Sequence, residues 1–118
     1  MIYGIGHDIV ETERVKKALE KPGFLTRYFT TKEIENLTHT QLTGNFCVKE
    51  AVAKALGTGF RGFSPADIEV LRDELGKPVV NLYNDAGKLA EQLKIANIFA
   101  SISNLEKLVS AVAVLERI

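Results

Sequence analysis

The chain predicts an α+β domain, a largely antiparallel sheet packed against helices. Three observations predict it: a β-branched alternating run opens the sequence, one long run of helix formers fills its middle, and two apolar strand-like segments joined by a polar turn close it. Its 118 residues, 46% of them hydrophobic, are one domain's worth, so residues 1–118 are expected to form a single unit around one core.

Residues 2–10 alternate as a strand, with Ile2, Gly4, Gly6, Asp8 and Val10 on one face and Tyr3, Ile5, His7 and Ile9 on the other. Val15, Ala18 and Leu19 follow at helical spacing, and Pro22-Gly23 stops that helix. Thr30 and Glu33 have the spacing of a capping box, which predicts a short helix from Thr31 ending before Thr38. From Gln41 to Leu56 good helix formers predominate, and Gly57 is the expected C-terminal stop of the longest helix. A loop from Gly59 to Pro65 leads to a hairpin, Asp67–Leu71 and Val79–Tyr83, around the turn Asp73–Pro78. Asn84 is expected to cap a helix through Leu93, and the strands Ile98–Ser103 and Val109–Glu116 flank the turn Asn104–Lys107. No repeat or low-complexity tract interrupts this order.

Lys plus Arg and Asp plus Glu both number 15, so no global field points to nucleic acid or an anionic membrane as the main partner. No basic flank leads into a long apolar run, and no membrane-length apolar stretch occurs, so a soluble, cytoplasmic protein is expected. A single cysteine, Cys47, cannot form an internal disulfide, and no Cys or His cluster has zinc-ligand spacing.

Chemistry concentrates in two segments, Gly4–Glu11 and Phe46–Gly59. Gly4 and Gly6 clear the strand face that carries Asp8, so a helix, an ion or a ligand can approach closely there. Phe46, Glu50 and Lys54 share one helix face; Glu50 and Lys54 alone would be read as an ordinary surface ion pair. Ala51, Ala53 and Ala55 keep that helix slender, which could bring Glu50 beside Asp8. Two carboxylates brought together repel unless a cation or a proton intervenes. Magnesium (Mg2+) suits them, because it takes one or two carboxylates, several waters and phosphate oxygens. Gly57-Thr58-Gly59 is either a plain helix C-cap and turn or a cradle of backbone N–H groups for a phosphate, assisted by Lys54 or Lys49. It is neither a Walker loop nor a dinucleotide fingerprint.

Together the two segments closely resemble the holo-acyl-carrier-protein synthases, the small single-domain group of the 4′-phosphopantetheinyl transferases. The family pattern joins Gly-x-Gly-x-Asp-hydrophobic-Val-Glu, here Gly4 to Glu11, to Phe-x-x-Lys-Glu-Ala-x-x-Lys-Ala-x-Gly-Thr-Gly, here Phe46 to Gly59. The resemblance also takes in Arg14, Phe29-Thr30-x-x-Glu33, Leu75-Gly76-Lys77-Pro78 and the closing strand pair. It implies transfer of the phosphopantetheine arm of coenzyme A to a serine of apo acyl carrier protein, releasing adenosine 3′,5′-bisphosphate. By matching positions, Asp8 and Glu50 would bind magnesium, Glu50 or a metal-bound water would take the serine proton, and Lys54 would stabilise or protonate the leaving phosphate. Lys49 and the turn Gly57, Thr58, Gly59 would hold phosphates of coenzyme A, while Phe46 would pack in the core. The family's small members are homotrimers with active sites between neighbouring subunits.

Two positions depart from the pattern: Asn45 stands where many relatives place an arginine, and Asn104 where many place a histidine. Both would serve the nucleotide end of coenzyme A, and neutral amides lack the charge assistance of those residues. Weaker discrimination between coenzyme A and its 3′-dephospho form is the resulting expectation. Residues 14–32 carry Arg14, Lys16, Lys17, Lys21, Arg27 and Lys32 against few acids, which is either a solvated face or a docking surface. The family docks its acidic carrier protein on the first helix, so Arg14 and Lys17 are candidate partner contacts. His7 and His39 are expected to be structural and superficial, and Cys47 a small buried hydrophobe. A magnesium-dependent nucleotide phosphohydrolase would use the same carboxylates without a carrier-docking helix. A non-catalytic coenzyme A-binding domain would have no use for Asp8, Glu50 and Lys54 together.

Overall fold

A computed structural model of the protein describes residues Met1–Ile118. Strand β1 (Ile2–Glu11) runs directly into α1 (Thr12–Leu19), which is followed by two short helices, α2 (Phe24–Tyr28) and α3 (Thr31–Asn36), and the long α4 (His39–Leu56). A single 3-10 turn at Pro65–Asp67 leads into the hairpin of β2 (Ile68–Arg72) and β3 (Pro78–Leu82), then α5 (Asn84–Gln92), β4 (Ile95–Asn104) and β5 (Leu108–Arg117). The long strands form one antiparallel sheet in the order β1-β5-β4, and the hairpin forms a second. The expected α+β architecture is the observed one.

Local chemistry explains most boundaries. The Thr30–Glu33 capping box is present, and Glu33 N–H donates to the Thr30 hydroxyl at 3.3 Å. A second box, Thr38 with Gln41, starts α4 two residues earlier than Gln41. Gly57 ends α4 at φ 89°, in the left-handed region where glycine has no steric cost. Asn84 does not cap α5. Tyr83 precedes the helix, and Asn84 adopts φ 50° while its amide donates to Asp67 Oδ1 at 3.1 Å, so the side chain ties α5 to the 3-10 turn instead. Helix α2, in the stretch between Pro22-Gly23 and Thr30 to which the sequence assigned no element, forms because Gly23 turns left-handed at φ 79° and restarts the helix. A register shift between Ile2 and Gly4 overturns the strict alternation expected of β1: Tyr3 packs against the core and Ile2 is exposed.

Helix α4 lies across the three-stranded sheet. A Cβ on Gly4 would run into the carbonyl oxygen of Ala55, and one on Gly6 into that of Ala51, so only glycine lets β1 and α4 approach this closely. Val109, Ala111, Ala113 and Leu115 of β5 point to the same side and complete the core with Val48, Val52, Ile68 and Val70. The other side of the sheet carries no helix, and Ile5, Ile9 and Phe99 there are 68%, 56% and 48% exposed. No helix is long and apolar enough to cross a membrane.

Candidate active site

Between Leu42 and Leu56, every residue of α4 is buried except Phe46, Glu50 and Lys54. Their spacing of four leaves one open stripe down a helix otherwise enclosed by strands and by α1. The stripe faces the Asp8 end of β1. Asp8 and Glu50 line one cavity of about 560 Å³, walled by α1 through Arg14, Val15 and Ala18 and by the aromatic rings of Phe24, Tyr28 and Phe46. Phe24 and Tyr28 stack at 4.2 Å between centroids, and Phe46 stacks on Tyr28 at 5.7 Å. Phe46, expected to pack in the core, is half-buried: it packs on neighbouring rings and also lines the cavity.

Lys54 pairs with Asp8, not with Glu50. Its Nζ donates to Asp8 Oδ1 at 3.0 Å and to the carbonyl oxygen of His7 at 3.0 Å, which sets aside the helix-surface pair within α4. Burial pushes the Glu50 carboxyl above its ordinary pKa, and the negative charge of Asp8 adds to the rise, while Lys54 opposes it. A site in which one carboxylate already attracts an ammonium and the other resists ionising has the electrostatics of a cation site. No third His, Cys, Asp or Glu joins the pair to complete an all-protein cage. Two carboxylates with open space beside them fit magnesium, which leaves its remaining positions to water and phosphate.

Cys47 lies beneath Asp8, fully buried, with its thiol donating to the Asp8 carbonyl oxygen at 3.3 Å. Burial, with help from the charges of Asp8 and Glu50, pushes its pKa up to about 12, so the thiol stays protonated and packs as the expected small hydrophobe. His7 points to the open side of the sheet and His39 is exposed at the start of α4.

Two candidate ligands of coenzyme phosphates lie elsewhere. Lys49 is 1% exposed: Nζ pairs with Glu33 Oε1 at 2.8 Å and donates to the carbonyl oxygens of Pro65 and Ile68. Burial lowers its pKa and the Glu33 carboxylate partly restores it. Asn45 is also fully buried, donating to Glu33 Oε2 at 2.8 Å and to the Val70 carbonyl oxygen at 2.7 Å. Both side chains serve the Glu33 carboxylate, and neither reaches a surface where a phosphate could meet it. The phosphate cradle is also smaller than expected. Gly57 N–H is bonded to the Lys54 carbonyl oxygen at 3.0 Å and Gly59 N–H to that of Ala53 at 3.2 Å, which leaves Thr58 N–H as the turn's donor without a backbone partner. A Cβ on Gly57 or Gly59 would meet nothing within 4 Å, so the turn presents open space beside Lys54.

Arg14 and Lys17 are both exposed on α1, but only Arg14 borders the carboxylate cavity. Asn104, exposed at the end of β4, borders a separate polar cavity with Arg72 and Lys77, and no residue lines both cavities. The residues that the sequence did not single out are Phe24 and Tyr28. Their spacing of four was the available signal, in a segment to which no element was assigned.

The sequence pattern of the 4′-phosphopantetheinyl transferase superfamily matches residues 4–113. A holo-[acyl-carrier-protein] synthase of Clostridium botulinum is 54% identical, covering 98% of this chain and 98% of its own. The crystal structure of holo-[acyl-carrier-protein] synthase from Neisseria meningitidis superposes with a TM-score of 0.89 at 37% identity, over 99% of this chain and 100% of that one. The Helicobacter pylori synthase in complex with coenzyme A superposes with a TM-score of 0.84 at 30% identity, over 95% and 99% of the two chains.

Proposed function

The chain belongs to the 4′-phosphopantetheinyl transferase superfamily and is an enzyme of that kind; we propose that it is a magnesium-dependent cytoplasmic transferase that moves 4′-phosphopantetheine from coenzyme A to a serine of apo acyl carrier protein, releasing adenosine 3′,5′-bisphosphate. The single observation that carries the assignment of residues is the convergence of Asp8 and Glu50 on one cavity beside the exposed basic helix α1, with Lys54 paired to Asp8. Asp8 and Glu50 would hold magnesium, which screens the charge of the diphosphate when bound.

The chain's own groups then divide the work. Glu50, whose proton affinity burial and Asp8 both raise, accepts the proton of the carrier serine as its oxygen attacks the phosphorus bearing the pantetheine arm. The bond from that phosphorus to the bridging oxygen breaks, and Lys54, exposed at the rim, shifts from Asp8 to the departing phosphate and supplies charge or a proton. The open turn Gly57–Gly59 and the Thr58 N–H receive the diphosphate beside Lys54. Arg14 at the cavity mouth and Lys17 beyond it meet the acidic carrier protein.

We place the site between copies in a homotrimer. The cavity holding Asn104 shares no lining residue with the carboxylate cavity, and the uncovered sheet face with Ile5, Ile9 and Phe99 is an apolar surface for a second copy. The deciding experiment incubates the protein with coenzyme A, magnesium and apo carrier protein and weighs the carrier by mass spectrometry. A carrier heavier by one phosphopantetheine is expected. Free nucleotide with unmodified carrier would instead mark a phosphohydrolase, and bound coenzyme A with no product a binding module.

A further inference from the structure

Helix α4 carries two lysine–carboxylate pairs, and they are built differently. Lys49–Glu33 is closed off from water, at 1% and 0% side-chain exposure, and the carbonyl oxygens of Pro65 and Ile68 hold its ammonium as well. Lys54–Asp8 joins a side chain 54% exposed to one only 15% exposed, at 3.0 Å. The carboxylate is fixed on β1 and largely out of water, so its charge calls for a counter-ion. The ammonium rides on a long stem that is mostly in water, where holding one geometry costs rotamer freedom. Of the two pairs, Lys54–Asp8 is the releasable one.

The choice of partner points the same way. Glu50 lies four residues before Lys54, the order that favours an ion pair within a helix, yet Glu50 takes part in none of the molecule's ion pairs. Two of the three N–H groups of Lys54 go instead to β1, to Asp8 Oδ1 and to the carbonyl oxygen of His7, both at 3.0 Å. Lys54 does not line the carboxylate cavity and meets Asp8 from outside it. Asp8 Oδ2 has only the Cys47 sulfur near it, at 3.9 Å. One carboxylate is thus offered to an ammonium on one side and to a cavity shared with Glu50 on the other.

We propose that Lys54 competes with the divalent cation for Asp8, so that Lys54 gives up this contact when the cation binds and only then is free to meet a coenzyme phosphate. The contact is autoinhibitory: it weakens the hold on the cation and keeps the ammonium on β1, away from phosphate. This rests on the magnesium and transferase reading proposed above, and it adds an order of binding, cation before coenzyme.

Manganese titration of wild type, Lys54→Met and Lys54→Arg, followed by EPR without coenzyme, is the first arm of the test. Lys54→Met keeps an unbranched stem at a half-exposed position, so the packing is preserved. It is expected to bind manganese roughly three- to fivefold more tightly than wild type, the scale of one partly exposed ion pair lost from the competing state. Lys54→Arg, which keeps the charge, is expected to stay within about twofold of wild type. Equal or weaker binding by Lys54→Met rejects the competition. The second arm measures coenzyme A binding by calorimetry in EDTA. Asp8→Asn, which releases Lys54, is expected to bind coenzyme A more tightly than wild type. Loss of a negative charge would by itself help any anion, so the same substitution is made in Lys54→Met, where the gain should fall below about twofold. A gain of equal size in both backgrounds, or none in either, overturns the proposal. Both arms read binding, so they stand whether or not transfer occurs. Manganese bound by none of the three proteins would remove the metal site and this proposal with it, whereas equal binding by wild type and Lys54→Met would reject the competition and leave the metal site standing.

Discussion

Asp8 and Glu50 show how two ordinary carboxylates acquire different properties from position alone. Asp8, on a strand face cleared by glycines, is reached by the Lys54 ammonium, whereas Glu50 has its charged form opposed by burial and by Asp8. Because the folded pKa of Glu50 lies above its ordinary value, the folded protein holds more protons than the unfolded chain between the two values. Its contribution to stability therefore declines as pH rises through that window, and a bound cation would relieve it. In metal-free protein, NMR titration of the Glu50 carboxyl carbon is expected to give a midpoint above the ordinary 4.5. Asp8→Asn should lower that midpoint without bringing it to the ordinary value, since burial remains. An unshifted midpoint, or one indifferent to Asp8→Asn, would remove the coupling on which the cation site rests. At this scale the sequence was legible where spacing carried the information: Phe46, Glu50 and Lys54 do form the one open stripe of α4. It misled at Lys49 and Asn45, because helical spacing assigns a residue to a face but not the element that covers the face. Glu33, delivered by the capped turn of α3, covers theirs and converts both into structural partners of a buried carboxylate.

Among the elements, the contact of β1 with α4 sets the geometry of the site. Two glycines and the slender stretch around Ala51 and Ala55 were readable as a close approach, and that approach aligns Asp8 with the Glu50 turn of the helix. Gly6→Ala would place a methyl group against the Ala51 carbonyl and the Ala55 amide, backbone atoms that cannot rotate away. The expected cost is about 3 kcal/mol in urea denaturation, the upper end for an overpacked core. The displaced strand should also bind manganese more weakly in an EPR titration, since Asp8 lies two residues further on. Unchanged metal affinity would show that the strand does not hold Asp8 in register with Glu50. The elements that escaped the sequence are those whose causes are not periodic. Helix α2 depends on one left-handed glycine, the shift at Tyr3 on a bulge, and the start of α5 on a side-chain bond from Asn84 to a distant turn.

At the scale of the whole molecule, the sheet is clothed on one side only. Helix α4 covers one face, while the opposite face leaves Ile5, Ile9 and Phe99 in water with Val112 and Val114 between them. The alternation of β5 predicts which residues point each way, but a single chain's sequence cannot say what lies against the outward set. An apolar sheet face on a small domain calls for a partner, and a second copy is the occupant consistent with a site split over two cavities that share no residue in one chain. Phe99→Glu would set a carboxylate in the middle of that face without touching the core, Asp8, Glu50 or Arg72. Sedimentation is expected to show wild type as a trimer and the variant as a monomer with an unchanged circular dichroism spectrum. Transfer activity should fall with assembly and recover as rising protein concentration restores it, because the carboxylates of one copy would then regain the polar Asn104 cavity of the next. A monomeric wild type, or a monomeric variant as active as the parent, would mean that each chain completes its own site and that the apolar face serves another partner.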